Sequence, residues 1–301
     1  MTLRTFYRLA STARRIVATS PAPVYDTGCT FCSVPELPSD KQIDFQANLN
    51  GTKILPWKHV LILTHGFSDF STMPSKIELV PGSLSSEINS LKKHIISPHH
   101  PILVSNILLK SHKKVLQEYG IDAEKDPRRQ LVYLYPDNKV IKFDLNHTQD
   151  FVRKYLVPQA SELAPVYNPF KVAAEESSSK KTEEPVASHN FDEFTVDKNL
   201  VLICGHAKRD IRCGQLAPLL ENEFEQVLHR ENLSKITDLG LISHIGGHAY
   251  AGNVIYFPKE NDKDIIWYGR VFPETVQGIV SETIKKGTII ADLYRGVLPQ
   301  N

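Results

Sequence analysis

Two cysteines and two histidines in the last third of the chain have the types and spacing of a metal-ligand set. Cys204 and Cys213 stand with eight residues between them in Cys204-Gly-His-Ala-Lys-Arg-Asp-Ile-Arg-Cys213-Gly. His244 and His248 bracket Ile-Gly-Gly in His244-Ile-Gly-Gly-His248-Ala-Tyr-Ala-Gly-Asn253. Thiolates are soft ligands and imidazoles respond to protons, so such a set suits a redox metal centre or zinc. The chain has only 4 cysteines, and half of them fall here. Taken singly, a buried cysteine is usually a small hydrophobe and a histidine a hydrogen-bonded core residue. Four ligand-type residues in two short Gly-containing segments weigh against that bland reading.

The elements around them must bring the four together. Residues 200–204 read as a buried strand ending on the first cysteine, and 215–230 as a helix. Cys213 then sits at or just before the helix N-terminus, where the dipole and the cations Lys208, Arg209 and Arg212 favour a thiolate. Those cations could also offer docking charge to an acidic partner, and Asp210 is placed to orient the loop or a ligand histidine. A strand over 240–244 closes on His244, and Gly246-Gly247 disfavours helix between the histidines and leaves a chelating loop. Strands over 254–257 and 265–268 and a helix near 274–286 complete the order strand, helix, strand, strand, strand, helix. That order suits an α/β sandwich of thioredoxin type. Upstream, strands over 59–64 and 101–110, a helix over 85–96, a hairpin of 131–135 with 139–143 and a helix over 149–156 give a related order. Two thioredoxin-like halves are expected, the first a degenerate one.

Composition supports this organisation. At 301 residues, 41% hydrophobic and 23% charged, the chain has room for two modest soluble domains. A formal charge of +1 gives no global reason to bind nucleic acid, and no apolar run approaches the roughly 20 residues that span a bilayer. Residues 1–20 carry Arg4, Arg8, Arg14 and Arg15 with Ser and Thr, and the first acidic residue is Asp26. With Leu3, Phe6, Tyr7, Leu9 and Ile16 forming an apolar face, this reads as a mitochondrial presequence outside the fold, with the matrix or the intermembrane space as destination. A Pro-rich lead-in follows over 21–55, then an N-terminal α/β domain over 56–158. A charged linker poor in bulky apolar residues spans 159–195, and the C-terminal domain spans 196–301.

Eight residues between Cys204 and Cys213 is wide for structural zinc, whose cysteines usually have about two to four between them. A 2Fe–2S cluster accepts histidines on one iron, as in Rieske centres, although the Rieske sequence pattern is not met. His206 reads as a supporting residue rather than a ligand. The patterns Cys204-Gly-His-x3-Asp210-x2-Cys213-Gly and His244-x-Gly-Gly-His248-x2-Ala251-Gly-Asn253 are similar to those of the sucrase/ferredoxin-like family of thioredoxin-like ferredoxins with bis-histidinyl ligation. The resemblance covers about residues 55 to 301, and Trp267-Tyr-Gly-Arg270 and Tyr294-Arg-Gly296 also look familial, without an assigned chemical role.

The resemblance implies an electron carrier rather than a catalyst, with a 2Fe–2S cluster held by Cys204 and Cys213 on one iron and His244 and His248 on the other. It also implies an unidentified redox donor and acceptor and reliance on the mitochondrial iron–sulfur assembly machinery. Two ferric ions, two sulfides and two thiolates sum to zero charge, against −2 for an all-cysteine site. The potential should therefore lie above the roughly −400 mV of plant-type ferredoxins. If an imidazole ligand gains a proton on reduction, the potential should fall by about 59 mV per pH unit.

Other motifs offer competing chemistry. His65-Gly66 after an apolar strand resembles an α/β-hydrolase feature, but no Gly-x-Ser-x-Gly elbow exists in the chain. His244 and His248 have zincin spacing, but Ile245 stands where the catalytic glutamate would be. Cys29-Thr-Phe-Cys32 lies among Pro23, Pro35 and Pro38 rather than between a strand and a helix. It reads as a loosely ordered thiol pair, with a regulatory disulfide as the alternative. Two other functions remain in view: a thiol–disulfide oxidoreductase using Cys29/Cys32 or Cys204/Cys213, and a structural zinc module.

Overall fold

The computed structural model describes residues 14–34, 36–64, 70–158 and 190–300. The first thirteen residues of the expected presequence, His65-Gly66 and most of the expected linker lie outside the described residues. The first element among the described residues is a two-residue strand, β1 (Ile16–Val17). The first half runs β2 (Lys58–Leu63), α1 (Leu84–Ile95), β3 (Ile102–Leu109), α2 (His112–Glu118), β4 (Arg129–Tyr135), β5 (Lys139–Asp144) and α3 (Thr148–Tyr155). A short strand, β6 (Asp192–Thr195), leads to the second half. That half runs β7 (Asn199–Cys204), α4 (Ile211–Arg230), β8 (Thr237–Ile242), β9 (Val254–Phe257), β10 (Ile265–Tyr268), α5 (Pro273–Gly278), β11 (Ile289–Ile290) and β12 (Tyr294–Leu298).

Each half repeats one local plan. Its first two strands are parallel across a helical crossover, and the next two add antiparallel on the other side, giving β3-β2-β4-β5 and β8-β7-β9-β10. Strands β3 and β8 then pair antiparallel, Ile107–Leu109 opposite Gly240–Ile242, so both orders join in one ten-stranded mixed sheet edged by β6 and β12. A mixed α/β architecture dominated by one large sheet is consistent with a thioredoxin- and ferredoxin-like fold.

Side-chain alternation gives each half two apolar faces. Val201, Ile203, Val254, Tyr256 and Tyr268 face outward and pack with α4 and α5 residues such as Leu220, Phe224 and Val276. Val60, Ile62, Val132 and Phe143 do the same with Ile88 and Phe151 of α1 and α3. The opposite faces share one cluster, joining Leu61, Tyr133 and Tyr135 to Leu202, Cys204, Phe257 and Trp267. Along the sheet, β2 lies four strands from β9, which would be about 19 Å in a flat sheet. Yet the His59 and Phe257 rings are 5.9 Å apart, and those of Tyr135 and Phe257 4.5 Å. The sheet therefore curls until the inner faces of the halves meet, with α1, α3, α4 and α5 on the outside and α2 packed against the shared core. His59 is a core histidine, bonded through Nε2 to Ser105 Oγ at 3.0 Å and pushed down to about 3 by burial.

Several elements depart from the sequence reading. Strand β8 stops at Ile242, so His244 lies in the following loop, and α4 starts at Ile211 rather than 215. Residues 192–195, assigned to the linker, pair with β5, and 294–298 form an unanticipated strand. Residues 14–20, read as part of a segment outside the fold, contribute β1, which pairs with Ile289–Ile290. The lead-in over 21–55 is a strap laid on the second half: Asp44 N–H donates to Ala249 O at 2.9 Å, and Arg270 binds the carbonyls of Asp44 and Ala47. These bonds use main-chain carbonyls, which no sequence pattern displays. No helix among the described residues is long and apolar enough to cross a membrane.

The seam between halves is only three residues long, and its tightest point is Gly240. A Cβ there would lie 2.6 Å from Leu108 O and 2.9 Å from Leu109 Cα. Gly240→Ala should destabilise the whole protein by about 1–3 kcal/mol, read as a lower urea midpoint. An unchanged midpoint would mean that the seam is not a tight joint.

Candidate metal centre

The second half brings its two cysteines into contact. Cys204 ends β7, its N–H donating to Asn253 O at 2.9 Å. Cys213 is the third residue of α4, and both sulfur-bearing residues are buried. Asp210 caps the helix by accepting Arg212 N–H at 3.1 Å. The two sulfurs lie close enough to influence each other, and the backbone N–H groups of His206 and Ile245 face the Cys204 sulfur, favouring negative charge on it. Cys204 is thus the sulfur held down toward the thiolate, while Cys213 keeps its proton and is pushed well up.

His244 and His248 form a second pair, in the loop after β8. Their rings lie 5.5 Å apart. His244 is half-buried, and desolvation first, then the nearby Arg209, push it down to about 4. The His248 side chain is 47% exposed, with Nε2 4.0 Å from Asp210 Oδ2. The sulfur pair thus lies inside and the imidazole pair toward solvent. His206 links the loops: Nδ1 accepts His244 N–H at 3.2 Å, while Nε2 donates to Pro74 O at 2.9 Å. Both of its nitrogens are engaged, so it helps to hold the loop that carries His244 and His248.

Two further residues shape the loop. Asn253 Nδ2 donates to Gly247 O at 2.9 Å, and its Oδ1 accepts from Arg295 Nη1 at 2.6 Å. Arg295 is fully buried and also donates to Gly246 O, Thr52 O and Thr52 Oγ1. Among the described residues no carboxylate pairs with it. Burial pulls its guanidinium down to about 10, an effect opposed by Cys204, Tyr250 and Cys213. Gly247, at φ 72°, leaves room for it, since a Cβ there would lie 2.3 Å from Arg295 Nη2. The Tyr294-Arg-Gly296 motif was noticed without a role; Thr52 carries no sequence signal at all.

The cations expected around Cys213 are used differently. Arg212 turns inward, forks onto Asp210 through Nε and Nη2 at 2.9 Å, and donates to Gln42 O. Lys208 donates to Thr72 O at 3.1 Å, and Arg209 lies exposed. Asp210 therefore acts on Arg212, on the helix start and on the His248 side of the site together. Desolvation alone would raise its carboxyl, but Arg212 and His248 hold it below its ordinary value.

A family model described as sucrase/ferredoxin-like matches residues 49–296. Curated relatives include altered inheritance of mitochondria protein 32 of Meyerozyma guilliermondii, 50% identical over 94% of this chain and 95% of that protein. The protein of the same name in Clavispora lusitaniae is 51% identical over 92% of this chain and 93% of its own length. In Saccharomyces cerevisiae strain YJM789 the similarity is 40% over 36% of this chain and 34% of that protein. No solved structure matches the chain significantly.

The Asp210–Arg212 pair is buried, so breaking it strands a charge. Asp210→Ala should cost on the order of 3 kcal/mol, whereas Asp210→Asn, which keeps a capping oxygen, should cost less. Urea midpoints of the two variants check this. Equal, near-zero losses would show the pair to be as weak as a surface one.

Proposed function

The chain belongs to the sucrase/ferredoxin-like family, and we propose that it is an electron-transfer protein in which Cys204, Cys213, His244 and His248 hold a 2Fe–2S cluster. The observation that carries this reading is the division of the donors into a buried sulfur pair and an outer imidazole pair. A single zinc ion needs its four donors on one tetrahedron, about 4 Å from each other. Among the described residues no three His, Cys, Asp or Glu side chains converge in that way. Two separate pairs suit two irons, one pair to each. Arg295 adds support, because a buried cation with only neutral partners suits a site that carries negative sulfur.

When bound, such a cluster supplies reversible one-electron exchange, at a potential set by charge, hydrogen bonds to sulfur and exposure. The N–H groups of His206 and Ile245 draw density from Cys204, and Arg295 stabilises added negative charge. His206, Asn253 and Arg295 hold the histidine loop in place. The exposed edge at His248 is where a redox partner would approach. The two halves read as thioredoxin-like units joined at β3 and β8. Residues 56–158 contain no cysteine, which makes the first a scaffold for the second. The relatives' name and the acid-free N-terminus support a mitochondrial location. A second reading, thiol–disulfide exchange at Cys204 and Cys213, is favoured by the contact between their sulfurs, and iron content separates the two.

Anaerobically purified wild type should show visible absorption that bleaches with dithionite. The bands should shift in His244→Ala and His248→Cys, and colour and iron should be lost in Cys204→Ser. A wild type that stays colourless after reconstitution with iron and sulfide, or carries stoichiometric zinc, would rule out the cluster. In the iron-loaded protein, Arg295→Gln should move the midpoint potential to a more negative value, with Arg295→Lys closer to wild type. Equal potentials in all three proteins would leave Arg295 only a packing role.

A further inference from the structure

The cysteine pair outside the proposed centre is held more firmly than its Pro-rich surroundings suggest. Cys29 and Cys32 end a tight turn, with Cys32 N–H donating to Cys29 O at 3.0 Å. Such a turn keeps its end Cα atoms within about 7 Å, and disulfides span about 4.4–6.8 Å between Cα atoms. Both are free thiols, and they are close enough for their side chains to hydrogen-bond.

The turn is pinned to α4 by a buried carboxylate. Glu223 is fully buried, and its oxygens accept from Thr30 Oγ1 at 2.9 Å and from Thr27 Oγ1. A buried carboxylate without donors is costly, so these two hydroxyls fix the segment that carries the cysteines. Thr27 Oγ1 also receives Cys29 N–H at 3.1 Å. The two sulfurs differ in access. Cys29 is 4% exposed, its Sγ 3.8 Å from Leu219 O, whereas Cys32 is half-exposed.

We propose that Cys29 and Cys32 form a second, metal-free redox site that exchanges with small-molecule disulfides of the glutathione type, Cys32 reacting first and Cys29 resolving. Cys32, deprotonated, attacks one sulfur of R–S–S–R, forming Cys32–S–S–R and releasing R–S⁻, which takes up the proton that Cys32 lost. Cys29 then loses its proton and attacks Cys32 Sγ, closing the Cys29–Cys32 disulfide and releasing a second thiolate that is protonated in turn. The protein gives up two electrons and two protons, and R–S–S–R becomes two R–SH. The Cys29 contact, partial desolvation and the carboxylates of Glu223 and Asp26 hold the Cys32 thiol up. Little thiolate is present at neutral pH, which suits a slow switch rather than a rapid catalyst.

The test incubates the full chain with glutathione disulfide, alkylates it under denaturing conditions and reads the Cys29–Cys32 peptide by mass spectrometry. Wild type should lose both alkylation sites to an internal disulfide. Cys29→Ser should accumulate glutathione on Cys32, and Cys32→Ser should accumulate at least tenfold less on Cys29. The proposal is overturned if wild type retains both thiols, if Cys29→Ser takes up no glutathione, or if the two variants react equally. The readout does not depend on iron, so it stands or falls separately from the proposed cluster.

Discussion

The guanidinium of Arg295 is the constraint to which the site's surroundings answer. It is fully buried with no carboxylate partner among the described residues, and a charge in that position costs several kcal/mol unless its donors are satisfied. Its acceptors come from distant parts of the chain: Thr52 on the N-terminal strap, Gly246 between the two histidines, and Asn253 just before β9. Satisfying one cation therefore ties the strap, the histidine loop and the last strand into one arrangement. Asn253 extends the same constraint to Gly247 O. The loop between His244 and His248 takes its shape less from its own sequence than from a side chain about fifty residues later.

This explains which parts of the molecule were legible in the sequence. The central strands were, because both faces are buried and their residues read as short apolar runs; 58–63, 199–204, 254–257 and 265–268 are of this kind. Edge elements were not. Strand β6 is exposed throughout and looks like linker, and β12 holds a polar Arg295 and Gly296. The first turn of α4 is not legible because Asp210, its N-cap, reads as a residue that orients the loop or a histidine rather than as a helix start. The four candidate ligands announced themselves by residue type, and the structure groups them in two pairs. Their supports were hidden, because Gln42 and Pro74 act through backbone oxygens, as Thr52 does in part, and any residue type supplies one.

The curled sheet explains why the sulfurs are inside. Helices α1, α3, α4 and α5 cover the outer faces, so the inner faces are buried largely against each other, with Val115 and Leu116 of α2 joining that core. Cys204 belongs to that shared core, and Cys213 enters it from the start of α4. Among the described residues the first half thus contributes no ligand-type residue of its own to the site, yet it completes the apolar wall behind it. It also supplies Pro74 O, the acceptor that fixes His206 with Nε2 protonated and leaves Nδ1 free to receive His244 N–H. Removing the first half would expose the sulfur side and release the histidine side together.

The same asymmetry gives the site a direction. A centre with sulfur buried and imidazole exposed has its low-dielectric side toward Arg295 and its wet side toward His248. Field lines from Arg295 are weakly screened in the core, whereas charges beyond His248 are screened by solvent within about 10 Å. Fixed internal groups therefore set the electrostatics of the sulfur pair, while the imidazole edge answers to solvent and its ions. Of the three cations in the Lys208–Arg212 segment, Arg212 is committed to Asp210 and Lys208 to Thr72 O. Arg209, exposed beside them, is left as the side chain in this segment that has no ion-pair or hydrogen-bond partner among the described residues.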